Sequence, residues 1–258
     1  MNGQDARGMS SPARRKITKQ QMPFFLRYEP PILNYHRVGS REGDPTMTVA
    51  QDAFDRQMTL LASHGRAVSL EALVSLLASK PPSLPKKVAV TFDDGYEDNY
   101  THAFSILKTH RIPVTIFLVT GWIGKKEFLS WEAVREMSKE GISFGSHTKN
   151  HPYLPSVSSR QVLEEEIKGS KELLEDRLGK EAPLFSYPFG GFTEEAKQLV
   201  QEVGYKAAVT SNRGEKGKER DLYALSRIKM TDASTSSLIF NLKTSGYYEQ
   251  FKKKKKAY

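Results

Sequence analysis

Two adjacent aspartates follow a strongly apolar stretch in the first half of the chain. Val88–Phe92 (VAVTF) favours a β-strand that is buried on both faces, and Asp93, Asp94 and Gly95 come directly after it. Proteins that alternate strands and helices commonly place their chemistry at the carboxyl ends of such strands. The doublet alone is equally compatible with a turn that caps the next helix.

A pair of histidines follows a second predicted strand at residues 142–146. His147 and His151 are four residues apart and can bind a single ion, although solvated histidines are also common in loops. Two histidines, one carboxylate and an open position form the usual ligand set of a catalytic zinc site. One aspartate of the doublet then remains free to act as a base. The chain has no cysteine, which excludes disulfides and thiolate metal sites.

Seven short apolar segments, most of them separated by a helix, have to position these side chains. Helical spacing of apolar residues is clear at Phe54, Met58 and Leu61, for example. Alternation of strands and helices predicts parallel βαβ units, and in a barrel of such units all carboxyl strand ends open on one face. The predicted strands are 32–36, 88–92, 114–120, 142–146, 184–187, 207–210 and 225–230, and the predicted helices are 50–63, 70–77, 99–110, 131–139, 158–178, 193–203 and 234–243.

Three motifs, in this order, resemble the polysaccharide deacetylase family of the NodB-homology type, carbohydrate esterase family 4. They are Thr91–Gly95 (TFDDG), Ser146–Pro152 (SHTKNHP) and Tyr187–Gly190 (YPFG). The resemblance covers residues 31–242 and implies a distorted (β/α)7 barrel of parallel strands with outer helices. It also implies a metal-dependent hydrolase that removes N-acetyl groups from an N-acetylglucosamine-containing polysaccharide.

The resemblance further implies a role for each matched residue. Asp93 matches the general base of the family, and Asp94, His147 and His151 match its metal ligands. The implied ion is divalent, with Zn²⁺ as the first choice and Co²⁺ or Ni²⁺ as alternatives. The backbone N–H of Phe189, after the proline of the third motif, matches a donor to the oxyanion of the tetrahedral intermediate.

The chain departs from the commonest family pattern in two places. That pattern has a late histidine as the acid, whereas this chain has no histidine after His151, and Ser186 occupies the place of a family arginine. However, Leu33–Val38 (LNYHRV) resembles the opening of the poly-β-1,6-N-acetylglucosamine deacetylase branch, in which the acid-bearing strand stands at the amino end. This resemblance makes His36 the candidate acid. A packed or surface histidine at a strand end is the alternative interpretation.

Arg227 is the candidate substitute for the missing arginine, as a charge partner of Asp93. Arg227 could equally form a structural ion pair with Asp221.

Aromatic residues beside the motifs are candidates for stacking against a sugar, although most aromatic residues of a barrel belong to its core. The candidates are Tyr187, Phe189 and Tyr153. Together with Arg227, Tyr187 and Phe189 form the predicted set of residues that bind the substrate or its oxyanion.

The net charge of +9 is concentrated at the two ends of the chain. Residues 1–27 carry a net +5 and Lys252–Lys256 another +5, so the rest of the chain is close to neutral. This distribution argues against nucleic-acid binding, and it allows the basic ends a weak association with a membrane surface or an anionic polymer. The predicted organisation is a flexible basic arm at 1–28, a polysaccharide deacetylase domain at 29–245 and a Lys-rich tail at 246–258.

No segment of the sequence has the apolar length of a membrane span or the apolar core of a secretion signal. This is compatible with a protein that stays in the cell and with a chain whose leader has been removed.

Two alternative functions are compatible with the same motifs. One is removal of a different acyl group from a sugar, such as a formamido or O-acetyl group. The other is a carbohydrate-binding barrel without catalysis, which the missing late histidine and arginine would explain.

Overall fold

A computed structural model describes residues 28–40, 44–212 and 220–248. The predicted arm and nearly all of the predicted tail therefore lie outside the described residues. A parallel sheet of eight strands, in the order β10-β1-β4-β5-β6-β7-β8-β9, forms the centre of the molecule. Its strands are β1 (Ile32–Tyr35), β4 (Ala89–Phe92), β5 (Val114–Leu118), β6 (Ser143–Ser146), β7 (Leu184–Ser186), β8 (Ala207–Thr210), β9 (Leu225–Ser226) and β10 (Ile228–Lys229).

The two edges of this sheet belong to one short segment of chain. β9 pairs with β8, β10 pairs with β1, and only Arg227 separates β9 from β10. The Arg227 N–H donates to the Thr210 carbonyl at 2.9 Å, which continues the pairing with β8 by one residue. The sheet therefore nearly closes on itself. The predicted barrel is confirmed, and its seventh predicted strand is the segment that Arg227 divides into β9 and β10.

The helices lie outside the sheet and follow the predicted segments closely. Two of the predicted helical segments contain a π-helical turn. Asn99–Ala103 forms one directly before α3, and Glu165–Gly169 forms the other between α5 and α6. The helices are α1 (Gln51–Ser63), α2 (Leu70–Ala78), α3 (Phe104–His110), α4 (Trp131–Lys139), α5 (Arg160–Glu164), α6 (Ser170–Leu178), α7 (Glu194–Glu202) and α8 (Ser237–Lys243).

The core lies between the sheet and these helices. All residues of β1, β4 and β5 are buried, as expected for strands that are covered on both faces. On α1, Phe54, Met58 and Leu61 are buried because their spacing places them on one side of the helix. Among the described residues, no helix combines the length and the apolarity that crossing a bilayer requires.

A second, two-stranded parallel sheet was not predicted. It pairs β2 (Arg37–Gly39) with β3 (Thr48–Ala50). Three-residue strands of this kind leave no clear alternation in a sequence, because period-two patterns need a longer run.

The register of the large sheet brings the ends of β1, β4 and β6 to the same edge. Tyr35 is level with Phe92, and the Asp93 N–H donates to the Tyr35 carbonyl at 3.0 Å. Leu118 ends β5 and His147 follows β6, and the His147 N–H donates to the Leu118 carbonyl at 2.9 Å. The residues that follow these strands therefore start from one edge of the barrel.

Candidate active site

Backbone strain is concentrated in the loops at this edge. Asp94, Thr148, His151 and Phe189 have positive φ angles of 72°, 68°, 61° and 56°, which non-glycine residues rarely adopt. Strained conformations persist only where the surrounding structure fixes them, and they cluster at functional sites. Here each of them lies in one of the three motif loops.

Asp94, His147 and His151 form a group that could hold a metal ion, and it is the one such group of three in the described part of the chain. The Nε2 atoms of the two histidines are 3.2 Å apart, and each lies 3.5 Å from Oδ1 of Asp94. Ligand atoms around a tetrahedral ion with bonds of ~2.1 Å lie about 3.4 Å apart. The three side chains thus fit a tetrahedral site with one open position.

Hydrogen bonds orient the metal-facing atoms of this group. Nδ1–H of His147 donates to the Ser186 carbonyl at 2.7 Å, which leaves Nε2 with its lone pair directed at the site. Burial lowers the pKa of both His147 and His151 to about 4, so both rings are neutral near pH 7, as metal ligands must be.

The Asp94 carboxyl has an oxygen that needs a partner. Oδ1 of Asp94 is buried and has no hydrogen-bond partner among the described residues, whereas the Tyr96 hydroxyl hydrogen-bonds to the carboxyl. Burial and the neighbouring charge of Asp93 raise the pKa of Asp94 to about 7. A cation beside Oδ1 would remove this penalty, which is further support for a metal at this point.

Asp93 lies beside the metal group and is held by a set of buried donors. Arg227 donates to both carboxylate oxygens, at 2.7 and 2.5 Å, and Asn34 donates to Oδ2 at 3.1 Å. Ser186, at the position of the family arginine, bridges Arg227 and Asp93 at 2.9 and 3.3 Å. Burial raises the pKa of Asp93, but the charge and hydrogen bonds of Arg227 outweigh it and hold that pKa well below its usual range. Asp93 is therefore ionised and rigidly oriented.

Arg227 forms its ion pair with Asp93 and not with Asp221. Its guanidinium is buried against Asp93, whereas Asp221, the alternative partner, accepts a hydrogen bond from Lys197 at 3.1 Å.

His36 follows β1 and Asp93 follows β4. Because these two strands are paired, the two residues lie side by side. Its charge affects the pKa of both Asp93 and His147, so the imidazole lies near the metal group. Its Nδ1 is buried and has no hydrogen-bond partner in the part of the chain that the structure describes, and the Asn99 side chain donates to its backbone carbonyl at 2.9 Å. Burial lowers the pKa of His36 to about 4, although the charge of Asp93 opposes this effect.

The aromatic candidates divide into two exposed residues and one buried residue. Phe189 is 66% exposed and packs edge-on against His151, with 4.6 Å between ring centroids. Tyr153 is 48% exposed, and its ring centroid lies 6.3 Å from that of Phe189. Tyr187 is fully buried, and its hydroxyl donates to the Tyr223 carbonyl. The prediction that the Tyr187 side chain contacts the substrate is therefore wrong, because core packing encloses it.

One positioning residue of this site, Glu166, was missed. The helix predicted at 158–178 is strongly charged, as is typical of a solvated surface, but Glu166 is only 5% exposed. Its Oε2 accepts from the N–H groups of Lys149 and Asn150 at 2.9 and 2.8 Å, and its Oε1 accepts from the Asn150 side chain at 2.7 Å. Glu166 thereby holds the loop between His147 and His151. Sequence spacing gives no signal for it, because a π-helical turn shifts the face on which it lies.

The opposite side of the same loop is fixed by a glycine. The N–H of Gly121 donates to the Lys149 carbonyl at 2.8 Å, and a Cβ atom at this position would lie 2.6 Å from that oxygen. Only glycine allows this close approach.

The chain is similar to known proteins over most of its length. Residues 80–208, which include the three motifs described above, match the family model of the polysaccharide deacetylases. The chain is 34% identical over 209 residues to YxkH of Bacillus subtilis, whose name describes a polysaccharide deacetylase; the alignment covers 80% of this chain and 73% of YxkH. It is 27% identical over 252 residues to the poly-β-1,6-N-acetyl-D-glucosamine N-deacetylase of Staphylococcus aureus, covering 84% and 83% of the two chains.

Two solved structures share the fold over nearly their whole length. The deacetylase PplD of Streptococcus pyogenes, in complex with acetate, superposes with a TM-score of 0.74 at 28% identity, covering 87% of this chain and 99% of PplD. IcaB of Ammonifex degensii superposes with a TM-score of 0.71 at 27% identity, covering 86% and 98%.

Proposed function

Because the chain belongs to the polysaccharide deacetylase family, we propose that it is a metal-dependent hydrolase that removes N-acetyl groups from an N-acetylglucosamine-containing polysaccharide. One observation carries this proposal: three metal-compatible side chains, an arginine-held carboxylate and a buried histidine converge at one edge of the barrel.

The metal group provides the electrophilic part of the chemistry. A divalent ion held by Asp94, His147 and His151 would polarise the amide carbonyl and lower the pKa of a bound water. Zn²⁺ suits this set of two nitrogen ligands and one oxygen ligand, and Co²⁺ and Ni²⁺ are alternatives.

Asp93 is the proposed base that removes the proton of the attacking water. Arg227, Ser186 and Asn34 fix its orientation, so little reorganisation is needed when the proton moves. Two further hydrogen-bond donors then complete the reaction. The Phe189 N–H is proposed to donate to the oxyanion. His36, which is neutral near pH 7 because burial lowers its pKa to about 4, is proposed to take up the proton that Asp93 removes from the water and to pass it to the amine nitrogen as the C–N bond breaks, so that acetate and a free amine result.

The proposed substrate follows from the relatives and from the surface beside the metal group. The Staphylococcus aureus relative is named for deacetylation of poly-β-1,6-N-acetyl-D-glucosamine. Phe189 and Tyr153 present exposed rings next to His151, and aromatic faces of this kind can stack against a sugar ring.

A panel of acylated substrates tests this function. We expect acetate and free amines to appear with oligomers of β-1,6-linked N-acetylglucosamine, while formamido- and O-acetyl-sugars react more slowly. Faster release of formate, or of acetate from an ester, would move the assignment to another acyl group. Binding of the oligomer without release of acetate would favour the inactive barrel.

A further inference from the structure

Tyr96 follows the aspartate doublet and contacts the candidate metal ligand Asp94. Its hydroxyl hydrogen-bonds to the Asp94 carboxyl, in which Oδ1 has no hydrogen-bond partner among the described residues. The hydroxyl therefore donates to Oδ2 and leaves Oδ1 to the metal group. There Oδ1 lies 3.5 Å from the Nε2 atoms of His147 and His151. Whereas Arg227 orients Asp93, this hydroxyl contacts Asp94 from the side away from the histidines.

The backbone at Asp94 makes a partner for its side chain important. Asp94 and Gly95 have φ angles of 72° and 74°, so two consecutive residues lie in the left-handed region. A Cβ atom at Gly95 would lie 2.5 Å from the Leu118 side chain, which requires glycine at this turn. A short carboxyl on such a sharp turn keeps one orientation when a hydrogen bond or packing holds it.

The Tyr96 ring is held by two neighbouring side chains. The guanidinium carbon of Arg37 lies 4.6 Å from the centre of the Tyr96 ring. The Phe128 ring stacks on Tyr96 with 5.2 Å between centroids and 21° between planes, and a backbone bridge pairs the same two residues. A cation over an aromatic ring and a stacked neighbour both stabilise one ring position. The hydroxyl of Tyr96 is therefore kept beside Asp94.

Asp98 in turn holds Arg37. Its Oδ2 accepts from Nε of Arg37 at 2.8 Å, and its Oδ1 accepts from the Val38 N–H at 3.1 Å. The Asp98 side chain is 12% exposed and that of Arg37 36%, so the ion pair is partly shielded from water. Arg37 and Val38 directly follow His36. Asp98 thereby connects the segment after β1 to the loop after β4.

We propose that Tyr96 is a positioning residue of the metal site, and that Arg37 and Asp98 keep it in place. Its hydroxyl occupies one oxygen of Asp94, so that the other oxygen alone faces the ion and a position stays open for water and substrate. This inference rests on the proposed function, because it concerns the ion that Asp94 and the two histidines would hold. Hydrogen bonds to metal ligands commonly change metal affinity by about 10- to 100-fold.

Isothermal titration of the metal-free full chain with Zn²⁺ tests this proposal in Tyr96→Phe. Phenylalanine keeps the ring and its contacts with Arg37 and Phe128 but lacks the hydroxyl. We expect the affinity for Zn²⁺ to fall by about 10- to 100-fold. Tyr100→Phe is the matched control. It removes a hydroxyl from the same segment that donates to Glu136 at 2.7 Å on the surface, and it should bind Zn²⁺ like the wild type.

The visible absorption of the Co²⁺ form reports on the ligand geometry itself. A carboxyl that is free to rotate can offer both oxygens to the ion, which raises the coordination number and weakens the Co²⁺ absorption bands. We expect weaker bands in Tyr96→Phe than in the wild type, and an unchanged spectrum in Tyr100→Phe.

Arg37→Gln tests the support behind Tyr96. It removes the cation over the ring and should weaken Zn²⁺ binding by about two- to fivefold, less than Tyr96→Phe, because the hydroxyl remains. Arg56→Gln, which breaks an exposed ion pair with Asp52, is the control and should bind like the wild type. The double variant Tyr96→Phe/Arg37→Gln should bind no more weakly than Tyr96→Phe, because Arg37 acts through the Tyr96 hydroxyl.

The possible failures of this inference and of the proposed function differ. Wild-type Zn²⁺ affinity in Tyr96→Phe would overturn the positioning role and leave the proposed function intact. Additive losses in the double variant would overturn the role of Arg37, since its effect would then be independent of Tyr96. Absence of Zn²⁺ binding by the wild type would overturn the proposed function and this inference with it.

Discussion

At the scale of single residues, the candidate site depends on how Asp93 and Asp94 differ. The two carboxyls are adjacent in sequence, yet Asp93 is ionised against Arg227 while burial and Asp93 raise the pKa of Asp94 to about 7. The different partners of the two groups suit different tasks. A fixed anion can act as a base, and a carboxyl without a cationic partner can bind a metal.

Replacement of Arg227 by lysine tests whether Arg227 fixes the orientation of Asp93. Lysine keeps the charge but cannot donate to both oxygens of Asp93 in one plane, so Asp93 should lose its fixed orientation. We expect kcat to fall by about 10- to 100-fold with KM and metal content nearly unchanged. Steady-state kinetics with metal analysis check this. A fall in metal content in parallel with kcat would contradict the role.

His36→Ala tests the proposed proton donor. Because His36 is near the metal group without belonging to it, we expect kcat to fall by about 10²- to 10⁴-fold while bound metal stays at the wild-type level. His64→Ala, at an exposed position after α1, is the control and should leave kcat unchanged. Wild-type turnover by His36→Ala would rule out His36 as the acid.

At the scale of elements, the loop from His147 to His151 is the part that most needs support. It contains two strained residues, Thr148 and His151, and it is held by Glu166 on one side and Gly121 on the other. The helix that carries Glu166 therefore contributes to the site although it contributes no ligand.

Glu166→Gln should weaken metal binding by about 10- to 100-fold. The amide oxygen can still accept from the two backbone N–H groups, but its NH2 group cannot accept from the Asn150 side chain, and the negative charge that strengthens all three hydrogen bonds is lost. Isothermal titration with Zn²⁺ measures the change. Glu165→Gln is the matched control, since its exposed side chain contacts the Lys149 ammonium group at the surface, and it should bind Zn²⁺ like the wild type. Equal affinities of the two variants would show that Glu166 does not position the loop.

The elements were predictable from the sequence to a large extent, and the contacts between them were not. Apolar runs such as Val114–Leu118 give strands directly, because both faces are buried. The burial of Tyr187 and of Glu166 depends on which helix packs over which loop, and that packing leaves no local pattern. Asn34 stands inside a recognised motif, but its contact with Asp93 comes from the pairing of β1 with β4.

At the scale of the whole molecule, a single arginine links closure of the barrel to chemistry. Arg227 occupies the point where the two edges of the sheet meet, and its side chain reaches Asp93 inside the barrel. We propose that Arg227, between β9 and β10, takes the place of the family arginine that the third motif lacks.

Binding of a metal should stabilise the entire fold. An ion that binds only the native state at 100 times its dissociation constant adds about 2.7 kcal/mol, which for a chain of this size raises Tm by about 5–10 °C. Thermal unfolding with EDTA and with excess Zn²⁺ measures the difference. His147→Ala should show no such rise, whereas a rise of equal size in this variant would place the ion elsewhere.

The most direct test of the central claim is acetate release from a β-1,6-linked N-acetylglucosamine oligomer during titration of the metal-free protein with Zn²⁺. We expect no release in EDTA, full activity at one ion per chain, and no recovery at any Zn²⁺ concentration in Asp94→Asn/His147→Ala. Undiminished acetate release by the EDTA-treated, metal-free wild type would contradict the account.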